Sequence, residues 1–501
     1  MKVVTSEIMK QIDSYCIDNL KIPGIVLMEN AALKVIKNID FEKFKSFCIV
    51  CGKGNNGGDC FAIARHLAVM SMDIEVFLIG TSEGMSDDCK INYSILKNMG
   101  VKINRISNVE DANDLREAIE KSDMVIDGIF GIGLVRVVDE IYDTVISVIN
   151  ENSKYILSVD VPSGFDSNFG KVLGNCIKAD KTITFQLYKR GFLNYGTDIY
   201  TGKIVVEDIG IPEVVVDKFH NNEFIMDKSM IQKNLLVRNK YSYKGDYGRV
   251  LIVAGSKGFT GAAYISTQGA VRSGAGLVTL CCHKDIQDVL SSKLSEAMTI
   301  TFGDGERLSQ LLNNSDAIAI GPGMGNNDTT FELVSNIIRN ANCPVIIDAD
   351  GINVLKDKVD ILKNRKSEVM ITPHLGEMSI ITGLDIEYIR ENRVQVSQEF
   401  AQKYGVIVLL KGYNTIITDG KITIINPTGN SSMASGGMGD CLTGMLASFI
   451  GQGYKPMSAA CIATYVHGYC GEKLSQEMFC VNATHILEQI PFVIKELQKC
   501  N

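Results

Sequence analysis

NSSMASGGMGDCLTGMLASFIGQG, residues 430–453, joins a loop of small residues to an apolar segment. The loop Ser435-Gly436-Gly437-Met438-Gly439 runs into Asp440, and a helix is expected from Cys441. Successive glycines let backbone N–H groups point into one concavity, and a helix behind them adds the positive end of its dipole. Such a site suits phosphate. Asp440 sits at its mouth, where the same field is expected to hold it ionised near neutral pH. An ionised carboxylate beside bound phosphates is placed to take a proton from an attacking hydroxyl. Aspartate is also a favoured N-cap, and a lone Gly-Asp before a helix would mean no more than that. The length of this loop and the strand ends upstream of it favour the catalytic reading.

Those strand ends follow one pattern. The strand 249–254 leads into a loop through Gly261, then a helix over 262–273. The strand Ala317–Ile320 empties into Gly321-Pro322-Gly323-Met324-Gly325, and 345–347 ends in Asp348-Ala349-Asp350-Gly351. Strand 369–371 ends in Thr372-Pro373-His374, and 406–410 in Lys411-Gly412-Tyr413-Asn414-Thr415. Each strand delivers polar or glycine residues at its carboxyl end, where ligands bind in sheets of this kind. Neither a Walker A sequence nor a protein-kinase loop is present. For His374 and Lys411 alone, a ligand contact and a plain loop position stay open.

The first half of the chain alternates in the same way. Helices over 5–19 and 24–39 precede the apolar strand 47–51, which meets Gly52-Lys53-Gly54-Asn55-Asn56-Gly57-Gly58-Asp59 and a helix from about 60 to 71. Strands at 74–79, 101–106, 124–127 and 155–160 alternate with helices near 86–98, 111–120 and 139–150, which means a parallel sheet covered on both faces. Three loops meet at its carboxyl edge: the glycine-rich one, Asp127 with Gly128–Gly133, and Asp160–Gly164. Gly52, Gly54 and Gly57 satisfy G-x-G-x-x-G, but no acidic residue ends the next strand near Gly80, which disfavours a redox dinucleotide fold. Asn56, Asp127 and Ser163 are hard oxygen donors suited to a hard cation. Periodicity fades over 200–225, where a domain boundary is expected.

Composition narrows the class. The 501 residues, 46% hydrophobic and 22% charged, imply more than one domain of ordinary globular type. A net charge of −8 argues against nucleic acid or an anionic membrane as partner. No signal-like or membrane-length apolar run is present, so a cytoplasmic location is expected. Fourteen cysteines lie scattered without a framework. Cys48 and Cys51, three apart on a strand, face opposite sides and share no metal.

Taken together, these motifs identify a resemblance that covers nearly the whole chain. Met28-Glu29-Asn30-Ala31, GKGNNGGD, Asp127 with GIGL, and VDVPSG, followed by GRVLIVAGS, GPGMG, DADGIN, TPHLGE, KGYNT and GNSSMASGGMGD, resemble the bifunctional NAD(P)H-hydrate repair enzymes. The resemblance implies a Rossmann-like α/β/α epimerase domain over 1–215, a linker over 216–224, and a ribokinase-like α/β dehydratase domain over 225–501. It implies that Asn55, Asn56, Gly57, Gly58 and Asp59 contact the hydrated cofactor, together with a wall of Gly131, Ile132, Gly133, Leu134, Val135, Arg136 and Val137. Asp160 is implied as acid/base, and Asn56, Asp127 and Ser163 as holders of K+. In the second domain, Ala262, Gly323 and His374 are implied contacts of the hydrated nicotinamide. Lys411, Gly412, Tyr413, Asn414, Thr415 and Gly439 would hold the adenine nucleotide, ADP in preference to ATP, with Mg2+, and Asp440 would be the base. The substrates implied are NADHX and NADPHX, in a homo-oligomer, a tetramer or larger. Cys60 and Ala32 replace glycines of the family pattern, and Tyr243 a histidine. The reading of a different kind is a small-alcohol kinase using ATP, preceded by a non-catalytic ligand-binding module.

Overall fold

The computed structural model describes residues 1–498. The chain divides into two compact units, Met1–Asn221 and a second beginning at Asn222. The segment 216–224, expected as a linker, is structured for most of its length. Helix Glu213–Phe219 runs into it from one side and buries Val215 and Val216 in the core of the first unit. A strand starts at Glu223 on the other side. A seven-residue helix shows too few turns for its periodicity to stand out in the sequence.

The first unit contains β1 (Val3–Val4), β2 (Ser46–Cys51), β3 (Asp73–Ile79), β4 (Ile103–Ile106), β5 (Met124–Gly128), β6 (Ile156–Val159), β7 (Lys181–Phe185), β8 (Tyr188–Lys189) and β9 (Lys203–Glu207). Its main sheet has the order β4-β3-β2-β5-β6-β7-β9 with every pairing parallel, while β1 pairs with β8 apart from it. Central strands buried on both faces need apolar side chains on both. Thus Ile49 and Cys51 pack with Phe61 and Ala31 on one face, and Cys48 and Val50 with Leu115 and Ile149 on the other. That separation keeps the two thiols apart. The chain goes from β2 outward to β4 and returns to β5 on the other side, so the loops after β2 and β5 diverge and open a crevice.

The second unit contains β10 (Glu223–Ile225), β11 (Arg249–Val253), β12 (Leu277–Cys282), β13 (Met298–Thr301), β14 (Ala317–Ile320), β15 (Val345–Ile347), β16 (Val369–Ile371), β17 (Ile407–Leu410), β18 (Thr415–Thr418) and β19 (Thr423–Asn426). They form one sheet, β10-β19-β18-β17-β16-β15-β14-β11-β12-β13, parallel except where β18 pairs with β17 and β19. The order reverses between β11 and β14, which puts the loops at Gly255–Gly261 and Gly321–Gly325 on either side of a second crevice. Helix Met438–Gly451 packs hard against helix Thr260–Arg272 beside it. A Cβ at Gly444 would lie 1.9 Å from the Ser266 carbonyl oxygen, so only glycine permits this approach.

Candidate active sites

Two helix starts differ from their expected positions, and both differences bear on function. The helix expected from residue 60 begins at Asn55, and the one expected from Cys441 begins at Met438. The glycine-rich stretches are therefore first helical turns as much as loops. A first turn has free N–H groups, so glycine's low helix propensity costs least there. Cys60 is accommodated because its Sγ occupies the space under Gly128, where an added Cβ would come within 2.2 Å of it.

In the first unit, a cleft of about 640 Å³ opens at the crevice. Asn55, Asn56, Asp59, Gly131, Ile132, Gly133, Leu134, Val135, Arg136 and Asp160 all line it. Gly57, Gly58 and Val137, expected as contacts, do not: the two glycines are buried, and Val137 is exposed. Asp160 follows β6 at φ +61°, and the Val161 N–H donates to the Val159 carbonyl over 2.8 Å. This three-residue turn is strained, at roughly 1–3 kcal/mol. The end of β7 repeats it, with Gln186 at φ +61° and the Leu187 N–H donating to Phe185 O over 2.7 Å. Between the two turns, Lys189 Nζ reaches Asp160 Oδ1 at 2.8 Å while Thr184 Oγ1 donates to the same oxygen over 3.0 Å. Lys189 is fully buried, and the same ammonium group donates to Thr184 Oγ1 and to the carbonyls of Phe185 and Leu187.

Beneath the cleft, Asp127 is fully buried; its carboxylate accepts from Ser158 Oγ at 2.8 Å, Ser163 N at 2.9 Å and Ser163 Oγ at 2.5 Å. Burial pushes its carboxyl up, and the Ser163 and Ser158 hydroxyls pull it back. Asn56 Nδ2 donates to Phe130 O over 2.9 Å, while its Oδ1 is buried with no hydrogen-bond partner. Asp59 is also buried, and burial together with the nearby carboxylates raises it far above the ordinary carboxylate range.

In the second unit the hub is Asp348, directly after β15. Its Oδ1 accepts from Lys411 Nζ at 2.6 Å and Thr372 Oγ1 at 2.7 Å, and its Oδ2 from Thr443 Oγ1 at 2.6 Å. Burial pushes this carboxyl up, but the Lys411 ammonium and the hydroxyls outweigh it and hold the group below its ordinary range. Gly439 lies against this pair, since a Cβ there would stand 3.3 Å from Lys411 Nζ. Asp440 is not the N-cap. Gly437 caps the helix at φ +89°, and Asp440 sits in its first turn. Nor does the helix field lower its carboxyl as expected. Burial first and Asp348 second raise it to about 6, with Lys411 opposing and Asp350 and Glu377 adding to the rise. At neutral pH it is still mostly ionised and is now a better proton acceptor.

Gly323 (φ +63°) and Ala262 come together across the crevice, where a Cβ on the glycine would lie 2.9 Å from that of Ala262. His374 is the N-cap of helix Leu375–Thr382: Nδ1 accepts from Glu377 N at 3.2 Å, and the His374 N–H donates to Glu377 Oε2 over 2.8 Å. Its imidazole is more than half exposed. The Lys411–Thr415 segment is held from behind by Arg393, 3% exposed, which donates to the carbonyls of Tyr413 and Asn414. Tyr413 projects half-exposed, and Thr415 Oγ1 donates to Gly412 O over 2.9 Å.

Sequence reasoning missed Lys189, Asp348 and Arg393. The Asp348-Ala349-Asp350 strand end was a visible signal. Lys189 and Arg393 belong to none of the strand-end motifs.

A family model described as NAD(P)H-hydrate dehydratase matches residues 250–492, and one described as YjeF-related protein N-terminus matches residues 24–191. The bifunctional NAD(P)H-hydrate repair enzyme of Moorella thermoacetica is 35% identical, covering 100% of this chain and 98% of its own. The chain belongs to the bifunctional NAD(P)H-hydrate repair enzyme family. Another member, from Dictyoglomus turgidum, is 34% identical over 99% of each chain. Among solved structures, the ADP/ATP-dependent NAD(P)H-hydrate dehydratase of Bacillus subtilis, co-crystallised with ATP and Mg2+, superposes with a TM-score of 0.50 at 30% identity. It covers 55% of this chain and 98% of its own. A ribokinase-like superfamily protein of Enterococcus faecalis gives 0.51 at 27% identity, covering 56% and 98%. The second unit thus has the ribokinase-like fold, and the matches favour the repair-enzyme reading over a small-alcohol kinase.

Proposed function

We propose that this chain repairs hydrated NADH and NADPH. The first unit interconverts the R and S epimers, and the second dehydrates the S epimer using ADP, giving AMP and phosphate. The enzyme is thus an isomerase and a hydro-lyase in one chain. The observation that carries the dehydratase reading is Asp440, held at about 6 in the first turn of a glycine-led helix beside the Asp348–Lys411 pair.

Hydroxide is a poor leaving group and phosphate a good one. Asp440 takes the proton from the substrate hydroxyl, whose oxygen attacks the terminal phosphorus of the nucleotide. The N–H groups at the start of helix Met438–Gly451 and the Lys411 ammonium face the charge that develops. Elimination of phosphate then restores the dihydronicotinamide. Asp350, an acidic neighbour of Asp440, fits Mg2+ as a hard oxygen donor, and the ion when bound supplies charge neutralisation at the phosphates.

In the first unit Asp160, fixed by Lys189 and Thr184, is the base at the hydroxyl-bearing carbon. The unpartnered Asn56 Oδ1 fits K+, Asn56 being linked by hydrogen bonds through Phe130 to Ser163 and Asp127, and the ion when bound would supply a fixed positive charge beneath the cleft. Among the described residues no helix is long and apolar enough to cross a membrane. A cytoplasmic homo-oligomer, a tetramer or larger, completes the reading.

The test is absorbance in the dihydronicotinamide band for the chain with mixed-epimer hydrated NADH, Mg2+ and either ADP or ATP. Full recovery with ADP supports both activities and the donor. Recovery that stops at the S fraction removes the epimerase, and a stable phosphorylated product without free phosphate points to a kinase.

A further inference from the structure

The first 23 residues precede the family-model match at 24–191, yet they build one wall of the epimerase cleft. The strand pair β1–β8 aligns Val4 with Lys189, and helix Ser6–Asp18 starts two residues later. The helix therefore hangs from the strand that carries the Asp160 partner. The Ser6 N–H, donating to Asn168 Oδ1 over 2.7 Å, fixes its start. Met9, Asp13 and Ile17 fall at i, i+4 and i+8 on one face, and all three line the cleft. A carboxyl thus stands in the middle of an otherwise apolar stripe, pointing into the space that Asp160, Lys189 and Asn56 also line.

We infer that Asp13 is the second proton-carrying catalytic residue of the epimerase site, acting as the acid opposite the base Asp160. The inference rests on the epimerase reading given above. Adding water across the nitrogen-conjugated double bond of a dihydronicotinamide places the hydroxyl on the carbon beside the ring nitrogen, which is the electrophilic carbon. Such a carbon inverts by ring opening. Asp160 takes the hydroxyl proton, the C–O bond becomes a carbonyl, and the carbon–nitrogen bond breaks as Asp13 gives its proton to nitrogen. Rotation presents the other face of the aldehyde. The nitrogen attacks it, Asp13 recovers its proton, and Asp160 returns the other to oxygen. No atom or electron pair is gained or lost.

One site thus needs one carboxyl neutral and one ionised, and the two have different surroundings. Burial first and Asp160 second raise Asp13 to about 6, while Lys189 opposes. Lys189 meanwhile pairs directly with Asp160. The other charged or carboxyl groups facing this space are Lys10, Lys53, Asp59, Asp88 and Arg136, and Asp59 is itself pushed far up by burial and the nearby carboxylates.

The experiment uses the full chain with the pure S epimer and follows the appearance of R across pH for the wild type, Asp13→Asn and Asp13→Glu. Wild-type kcat is expected to fall as pH rises through about 6, where the acid ionises. Asp13→Asn should lose about a hundredfold or more in kcat with little change in KM, and its remaining rate should lack that limb. Asp13→Glu should keep the limb at a reduced rate. An unchanged melting temperature shows that the fold survives. Asp13→Asn with wild-type kcat and limb overturns the inference alone. A wild-type chain that leaves the epimer ratio unchanged overturns the epimerase reading as well.

Discussion

Lys411 Nζ stands 2.6 Å from Asp348 Oδ1 and 3.7 Å from Glu377 Oε2, and all three side chains are largely withdrawn from water. The ammonium is the counter-charge of a carboxylate that is 1% exposed. Beside Asp440 the two members of this pair act in opposite senses: Asp348 raises its carboxyl and Lys411 opposes the rise.

Lys411→Met leaves Asp348 charged and buried without its partner, which costs about 3–5 kcal/mol. Urea unfolding is expected to show that loss in the second unit, and Asp348→Asn on top of it should restore most of it. Because Asp348 lies below its ordinary range, the stabilisation from the pair is present above the ordinary carboxylate pKa. It is lost as pH falls through the lowered one. Additive losses in the double variant would mean that the two groups act separately.

Asp440→Asn is expected to cut dehydratase turnover by about three orders of magnitude. It should also raise stability at neutral pH. A carboxyl moved from 3.8 to about 6 on folding binds its proton more tightly in the folded chain. The stability this confers is full in acid and is lost as pH rises through about 6, so the ionised group costs up to ~3 kcal/mol at pH 7. Wild-type kcat/KM should correspondingly fall as pH drops below about 6. A variant that is slow and also less stable would contradict this assignment.

Much of this was legible in the chain because parallel sheets place function at strand ends, and strand ends are short, polar and glycine-rich. GPGMG, KGYNT and SGGMGD announced themselves that way. What stayed hidden was whatever required knowing the neighbours. Lys189 looks like surface in Gln186-Leu187-Tyr188-Lys189-Arg190 until β1 pairs with β8 and buries it. The direction of the Asp440 shift depended on its burial and on Asp348, which is remote in sequence. His374 was left open, and its Nδ1 proves to serve a helix cap. The start of helix Asn55–Val69 was misplaced because Asn-Asn-Gly-Gly disfavours helix locally and is overruled by packing.

Asp160→Asn is expected to abolish epimerisation while dehydration of the S epimer continues at the wild-type rate. Lys189→Met should reproduce the loss in kcat through the unanchored carboxylate, and should also destabilise the first unit, because a buried partner is removed. Chiral chromatography of the hydrated cofactor reads the first effect and NADH absorbance the second. Loss of dehydration in either variant would mean that the two activities are coupled.

Arg393 shapes the Lys411–Thr415 segment, proposed to hold the nucleotide, from behind through the carbonyls of Tyr413 and Asn414. Lysine cannot reproduce a planar two-point donor. Arg393→Lys should therefore raise the nucleotide KM about tenfold, the equivalent of one charged hydrogen bond at ~1.4 kcal/mol, with kcat nearly unchanged. An unchanged KM would show that the segment holds its shape through β17 and β18 alone.

Potassium provides the last test. The Asn56 Oδ1 atom is buried without a partner, and an unpaired acceptor of this kind costs roughly 1–3 kcal/mol. A cation bound there removes that cost and stabilises the folded first unit. At a hundred times its dissociation constant, a ligand adds about 2.7 kcal/mol, which for a unit of this size shifts the melting temperature by roughly 5–10 °C. KCl should raise the melting temperature of the wild type more than LiCl does at equal ionic strength. Asn56→Ala, which removes the orphaned oxygen together with the Nδ2 hydrogen bond to Phe130 O, should not respond to KCl. Equal KCl responses in the two proteins would place the ion elsewhere.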